Sequence, residues 1–390
     1  MQDINNVSGN LRKFSAPGRT ELAGNHTDHN CGKVLAAAIQ LENAATVYKK
    51  DDGIVFFRSG GFPDVTVNLD NLDPLPQETG TTQALVRGIA AELKKRGRLI
   101  GGFSANAVST VLPGSGLSSS AALEMLLCRI FDSIYNEDCR PLSNVEIAQI
   151  GQIAENVYFG KPCGLMDQIA CAVGGAVAID FANIEQPQVK QIYFNPADAG
   201  YALCVVNTGG SHADLTADYA AVPLEMKQVA AFFGKTVLRE LDKQTVIDAS
   251  AEIRKKTGDR ALLRTMHFFN ENERVDAMTA ALEKRDMQTY LENVNESGDS
   301  SWQLLQNIYA PHYPQEQGIS AALALTKDFF KKQGLIGACR VHGGGFAGTI
   351  QVYIPIDAMK IYGNYIEKVF NTGSVTPLQI RQTGAIELDS

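Results

Sequence analysis

Leu112-Pro113-Gly114-Ser115-Gly116-Leu117-Ser118-Ser119-Ser120-Ala121-Ala122 joins a segment with strand character to one with helix character through a run of small residues. Upstream, residues 103–112 are rich in Ala, Val, Ser and Thr and end at a proline. Downstream, Ala121, Leu123, Leu126, Leu127, Ile130, Phe131 and Ile134 recur at helical spacing. Glycines let the backbone approach a ligand, hydroxyls donate to oxyanions or ligate a cation, and the free N–H groups of a first helical turn face negative charge. The stretch therefore reads as a phosphate cradle, and its expected ligand is a polyphosphate. No Lys-Ser or Lys-Thr follows the glycines and no third glycine is present, which excludes the common NTPase loop and the dinucleotide fingerprint. A Ser/Gly linker is the plainer alternative, but linkers rarely run straight into an apolar helix.

The surrounding chain has 390 residues, enough for two domains, and 45% of them are hydrophobic, as in a globular protein. A formal charge of −8 without a clustered Lys/Arg tract argues against nucleic acid or a membrane surface as partner and favours a small-molecule ligand. Residues 1–10 lack the charged start and apolar core of a secretory signal, and no apolar run reaches membrane-spanning length, so the expected location is the cytoplasm. The seven cysteines are scattered, with no C-x-x-C pair, which points to reduced thiols and no zinc site.

Asp51-Asp52-Gly53 between residues 44–50 and 54–59 signals a hairpin, and 64–69 alternates apolar with polar. Helices are expected at 81–96, after the phosphate loop, and from the capping box Ser143-x-x-Glu146 onward, with a further short helix at 165–173. A turn-rich passage at 181–196 marks a domain boundary, dividing the chain into 1–190 and 191–390. The second half mixes helical patterns (275–294, 319–332, 356–370) with strands (201–207, 337–342, 349–354, 375–381). Without a regular strand-helix-strand repeat, the fold class is α+β.

Three further constellations carry chemistry. Pro17-Gly18-Arg19-Thr20-Glu21-Leu22-Ala23-Gly24-Asn25-His26-Thr27-Asp28-His29-Asn30 concentrates a planar cationic fork with directional donors and acceptors suited to sugar or polyol hydroxyls. A solvated loop is the bland alternative, and His26-x-x-His29 without a clear third ligand is weak evidence for a metal. Glu155 and Asp167 flank a Gly/Pro turn that can aim both carboxylates at one pocket, either to ligate magnesium or to take a proton. Asp167 sits among apolar neighbours, where an ionised acid requires a partner. His342-Gly343-Gly344-Gly345-Phe346-Ala347-Gly348 permits close approach to a ligand. A hydrolase oxyanion loop of similar composition precedes its nucleophile, whereas this run comes late and no G-x-S-x-G elbow exists.

Together, in order and over nearly the full chain, the segment at 17–28, the loop at 114–122 and the glycine run at 343–348 resemble the family of galactokinase, homoserine kinase, mevalonate kinase and phosphomevalonate kinase, its galactokinase branch most closely. The resemblance implies a two-domain α+β architecture: an amino-terminal domain like the second domain of ribosomal protein S5 and a ferredoxin-like carboxy-terminal domain. It also implies ATP-dependent phosphorylation of a sugar's anomeric hydroxyl, with ATP and Mg2+ required. By similarity Asp167 and Arg19 are the catalytic pair, and Gly114, Ser115, Gly116, Leu117, Ser118, Ser119 and Ser120 hold the nucleotide. Ser120 and Glu155 would ligate the metal, and Asn25, His26, Thr27, Asp28, Gly164 and Tyr219 would contact the sugar.

The chain departs from the family pattern Gly-Arg-Val-Asn-Leu-Ile-Gly-Glu-His-Thr-Asp-Tyr-Asn. Glu21 replaces its Asn, Asn25 its Glu and His29 its Tyr. An amide donates where a carboxylate only accepts, so the preferred sugar is galactose or a relative such as galactosamine, its N-acetylated form or arabinose. A sugar-responsive binding protein that keeps the fold without catalysis is the rival from another class. Against it, Arg19, Asp167, Ser120 and Glu155 are all present and the Gly/Ser loop is uninterrupted.

Overall fold

Strands β1 (Arg12–Ala23) and β2 (Lys33–Lys49) pair antiparallel through most of their length, with irregularities at Pro17/Arg19 and Glu21/Ala23. The computed structural model describes residues 11–111, 116–210 and 215–389. The polar stretch at 17–30 is thus half strand, not the solvated loop of the plainer alternative: Arg19, Thr20 and Glu21 lie within β1 and are buried. β3 (Ile54–Ser59) and β4 (Val65–Asn68) follow, then helix α1 (Thr82–Lys95), capped by the Thr81 hydroxyl, and β5 (Phe103–Ser109). The hairpin expected around Asp51-Asp52-Gly53 does not form. β5 inserts between β2 and β3 and runs parallel to β3, so the turn links strands that are not neighbours.

Helix α2 (Ser119–Tyr135) leaves the phosphate loop, and α3 (Asn144–Ile153) opens on the Ser143/Glu146 capping box and widens into a π-helical turn at Ala154–Phe159. Helix α4 (Met166–Val173) and strands β6 (Ala176–Asp180) and β7 (Gln188–Ile192) complete the first layer pair. β2 is long enough to serve two partners, β6 along residues 33–37 and β5 along 43–49. Phe14, Val47, Phe103, Leu126, Phe131, Ile147 and Ile169 form a continuous core between this sheet and α1–α4. Each such side chain contributes about 1.5–3 kcal/mol by leaving water.

The second sheet begins at β8 (Tyr201–Asn207). Helices α5 (Thr216–Phe232), α6 (Lys243–Asp248), α7 (Ser250–Thr257), α8 (Asp259–Lys284), α9 (Met287–Ser300) and α10 (Gly318–Gln333) intervene before β9 (Ala338–His342) and β10 (Thr349–Pro355). Helix α11 (Met359–Phe370), β11 (Val375–Leu378) and β12 (Ile386–Leu388) end the chain. The order is β11-β8-β10-β9, all antiparallel, with α10 and α11 packed on it through Leu323, Phe330, Tyr362 and Ile366. The single helix expected at 275–294 is two, because Arg285 turns left-handed (φ 56°) and Asp286 caps a new start at Thr289 N–H. β12 returns to pair with β1, stitching the end of the chain onto the first sheet. No helix among the described residues is long and apolar enough to cross a membrane.

Candidate active site

Three motifs far apart in sequence meet where β1, the start of α2 and the start of α4 converge. Gly18 lets β1 lie against the phosphate loop: a Cβ there would sit 2.7 Å from the carbonyl oxygen of Leu117, and the next residue's N–H, from Arg19, donates to that same oxygen at 3.1 Å. Gly114 and Ser115 lie outside the described residues. Gly116 is exposed, Leu117 is buried beneath the loop, and Ser118, Ser119 and Ser120 carry the chain into the first turn of α2.

From β1 the Arg19 guanidinium reaches Asp167 in the first turn of α4, Nε donating to Oδ1 and Nη2 to Oδ2, each at 2.7 Å. Its Nη1 donates to the Gly116 carbonyl, and the Ser118 hydroxyl donates to Asp167 Oδ2. Burial would raise the Asp167 carboxyl, but the charge and hydrogen bonds of Arg19, with the Ser118 hydroxyl, hold it below the usual carboxylate range. Ser118 adopts a left-handed backbone (φ 59°), as do His26 (φ 61°) and Phe346 (φ 59°). One residue of this uncommon conformation thus falls in each of three motifs, a pattern typical of functional sites.

Beside this pair lies an acid cluster. Ser120 Oγ donates to Glu155 Oε1 at 2.9 Å, Lys161 Nζ donates to the same oxygen at 3.0 Å, and Gln168 Nε2 donates to Oε2 at 3.0 Å. Gln168 also donates to Glu124 Oε2 at 3.0 Å. Glu124 is fully buried on α2, and that burial, with the nearby Glu155 charge, raises its carboxyl well above the ordinary value. The sequence offered no reason to single out Glu124, Lys161 or Gln168; only folding brings them to Glu155.

The residues expected at the sugar are more dispersed. Gly164 and Asp28 touch: a Cβ on Gly164 would fall 1.9 Å from Asp28 Oδ2. His26 Nε2 bonds the Gly344 carbonyl at 2.9 Å, and the Tyr219 hydroxyl donates to the Gly345 carbonyl at 2.9 Å, so both attach to the late glycine run. Burial lowers His26 to about 4, leaving a neutral imidazole at pH 7. Thr27 is fully buried, its hydroxyl donating to the carbonyls of Gly24 and Lys33. Asn25 is also buried: its amide donates to Glu21 and, at 2.7 Å, to the Gly343 carbonyl, and its oxygen accepts from Asn307 at 2.8 Å. His267 on α8 donates to the Asn25 carbonyl at 3.0 Å, and Glu271 on the same helix accepts from Gly24 N–H at 3.0 Å. Glu21 in turn pairs with Arg340, whose side chain is fully buried. Asn25 and Thr27 thus hold the loop together from within, while His26, Asp28, Gly164 and Tyr219 shape its margin.

Among the described residues no group of three or more His, Cys, Asp or Glu side chains is arranged to hold a metal. A hydroxyl and a carboxylate oxygen at Ser120 and Glu155 are nonetheless hard oxygen donors of the kind magnesium takes when phosphates complete its shell.

Comparison with known proteins agrees with this arrangement. The family model described as GHMP kinases N terminal domain matches residues 84–175, and the galactokinase galactose-binding signature matches 7–49. The galactokinase of Streptomyces coelicolor is 32% identical over 92% of this chain and 88% of its own length. That of Glaesserella parasuis is 31% identical over 87% of this chain and 84% of its own. Among solved structures, Lactococcus lactis galactokinase complexed with galactose matches with a TM-score of 0.81 at 23% identity, covering 97% of this chain and 95% of that one. Methanococcus jannaschii mevalonate kinase matches with a TM-score of 0.66 at 14% identity, covering 96% and 99%. With its strand-borne arginine, its serine-rich loop and relatives that align along nearly its whole length, the chain belongs to the galactokinase family.

Proposed function

We propose that this chain is an ATP-dependent sugar 1-kinase that transfers the γ-phosphoryl group of ATP to the anomeric hydroxyl of galactose. The observation that carries this is the fork from Arg19 to Asp167 at the mouth of the serine-rich loop, 2.7 Å at both contacts, with Ser118 as a third donor. Phosphoryl transfer demands positioning and charge stabilisation more than covalent help from the protein. Asp167 accepts a hydrogen bond from the sugar hydroxyl and aims it; Arg19 offsets the charge that develops nearby. Because its carboxylate is held low, Asp167 orients the nucleophile rather than acting as a strong base.

Gly114 to Ser120 would hold the polyphosphate, with the positive end of α2 behind Ser118 to Ser120. Ser120 and Glu155 would hold Mg2+, which when bound screens the phosphate charge. His26, Asp28, Gly164 and Tyr219 form the sugar margin, and Asn25 and Thr27 keep its loop in shape. We further propose that residues 1–190 and 191–390 act as two lobes around this site and that the enzyme is cytoplasmic and works as a single chain.

Burial of Asn25 favours a second reading of the substrate, a galactose relative, because the amide at this position is occupied by protein partners instead of facing a sugar hydroxyl. Coupled ADP release with galactose, galactosamine, N-acetylgalactosamine and arabinose tests both. Turnover of galactose supports the first reading, turnover of another sugar alone the second. Binding of sugar and ATP with no stimulated ADP release would leave a sensor.

A further inference from the structure

Lys161 occupies an unusual place for a surface lysine. Its side chain is 61% exposed, yet its ammonium rests on Glu155, a carboxylate that is only 2% exposed. Local backbone geometry aims it there. The π-helical turn Ala154–Phe159 ends at Gly160 in a left-handed conformation (φ 82°), and Lys161 N–H donates to the Glu155 carbonyl oxygen at 3.1 Å, so the chain folds back over Glu155 itself. The ammonium then bonds Oε1 at 3.0 Å, the same oxygen that accepts from Ser120 at 2.9 Å. The other oxygen is held from beneath by Gln168. A buried carboxylate needs a compensating charge, and Lys161 is the cation that supplies it, while Arg19 is committed to Asp167.

We propose that Lys161 is a displaceable counter-cation of the metal position: it neutralises Glu155 in the empty enzyme and yields Oε1 when a divalent cation arrives. The proposal rests on the assignment of Ser120 and Glu155 as metal ligands. A ligand oxygen cannot give its best lone pair to both an ammonium and a divalent ion, so lysine and metal compete for one site. The competition costs metal affinity, and it spares the buried acid from standing uncompensated between turnovers.

Mn2+ titration in the presence of ADP, followed by loss of the free-ion electron paramagnetic resonance signal, tests this on intact protein. Lys161→Met should bind Mn2+ about two- to fivefold more tightly than wild type, the range that an ion pair with a solvent-exposed lysine covers. Lys161→Arg, which keeps the charge, should stay near wild type. Unchanged or weaker Mn2+ binding in Lys161→Met overturns the proposal. Because Lys161→Met leaves the buried Glu155 without its counter-charge, circular dichroism of each variant checks that the fold is kept. Glu155→Gln, measured alongside, isolates the underlying assignment: if it binds Mn2+ as tightly as wild type, the metal position itself is wrong, whatever Lys161→Met does.

Discussion

Arg19 holds Asp167 by both ends, Nε on Oδ1 and Nη2 on Oδ2, each at 2.7 Å. Such a fork fixes the plane of the carboxylate as well as its charge, and lysine cannot reproduce it. The two residues are 148 positions apart, one on β1 and one opening α4, so the site exists only when the first sheet and its helices have assembled.

Asp167→Asn keeps the volume and removes the charge. Sugar-dependent ADP formation should fall by about 10²- to 10⁴-fold, while ADP binding measured by calorimetry stays within error of wild type. Unchanged turnover would remove Asp167 from the chemistry.

The pH profile separates an orienting acid from a general base. A base poised for proton capture gives kcat an acidic limb near neutrality. Here burial raises the Asp167 carboxyl, but the charge and hydrogen bonds of Arg19 with the Ser118 hydroxyl hold it below the ordinary carboxylate range, so it stays ionised through the whole assay range. The expected kcat is flat from about pH 5.5 to 7.5 on the acidic side; a limb near pH 6.5 that disappears in Asp167→Asn would show proton capture after all.

Glu21 and Asn25 test the buried network behind the sugar loop. Glu21 is paired with the buried Arg340, and Asn25 Nδ2 lies 3.1 Å from Glu21 Oε1. Asn25→Glu puts a second carboxylate against the first with no added cation, which should destabilise the fold by about 3–5 kcal/mol, read from urea unfolding. Glu21→Asn/Asn25→Glu together returns one acid to one arginine and should recover most of that loss. If the double variant is no better than the single, the two positions are not coupled through Arg340.

Much of this was legible in the sequence, for local reasons. The glycines and serines of 112–122 announce a helix start that the structure puts at Ser119, and Ser143 with Glu146 forms the capping box that their spacing implies. What was not legible is long-range. The turn at Asp51-Asp52-Gly53 has hairpin composition, but β5, arriving some fifty residues later, takes the place beside β2. Helix α5 escaped notice because Pro223 interrupts a weakly patterned segment. Asn25 read as a sugar donor because its partners show only in the fold: Glu21, four residues upstream on β1, and Gly343 and Asn307, about three hundred residues downstream, take up its amide. A side chain's partners across the fold decide whether its chemistry faces ligand or core.

Gly164→Ala probes the sugar margin. Its new methyl would meet Asp28 Oδ2 at 1.9 Å, and the carboxylate must move to make room. Asp28, which must move, belongs to the proposed sugar loop and not to the serine-rich loop, so KM for sugar should rise tenfold or more, on the order expected for a misplaced polar contact, while KM for ATP changes little. Equal rises in both would mean a general loss of structure.

His342 connects β1 to the second sheet and makes stability depend on pH. Its Nε2 meets Thr20 Oγ1 at 3.0 Å and its Nδ1 meets Thr349 Oγ1 at 3.1 Å, in a buried position. Burial, reinforced by the charges of Arg19 and Arg340, lowers its pKa from 6.5 to about 3. The folded state therefore binds this proton less readily than the unfolded chain, so the stabilisation is fully present above pH 6.5 and is lost as pH falls from there toward 3. One such group contributes a slope of about 1.4 kcal/mol per pH unit within that window. Between pH 6 and 4.5, where Asp167 remains ionised, urea unfolding of the wild type should show falling stability, and His342→Gln should be less stable at pH 7.5 but flatter by about one proton. A variant whose acid slope matches the wild type would mean that His342 is already protonated in the folded protein, and that the link between β1 and the second sheet is an imidazolium.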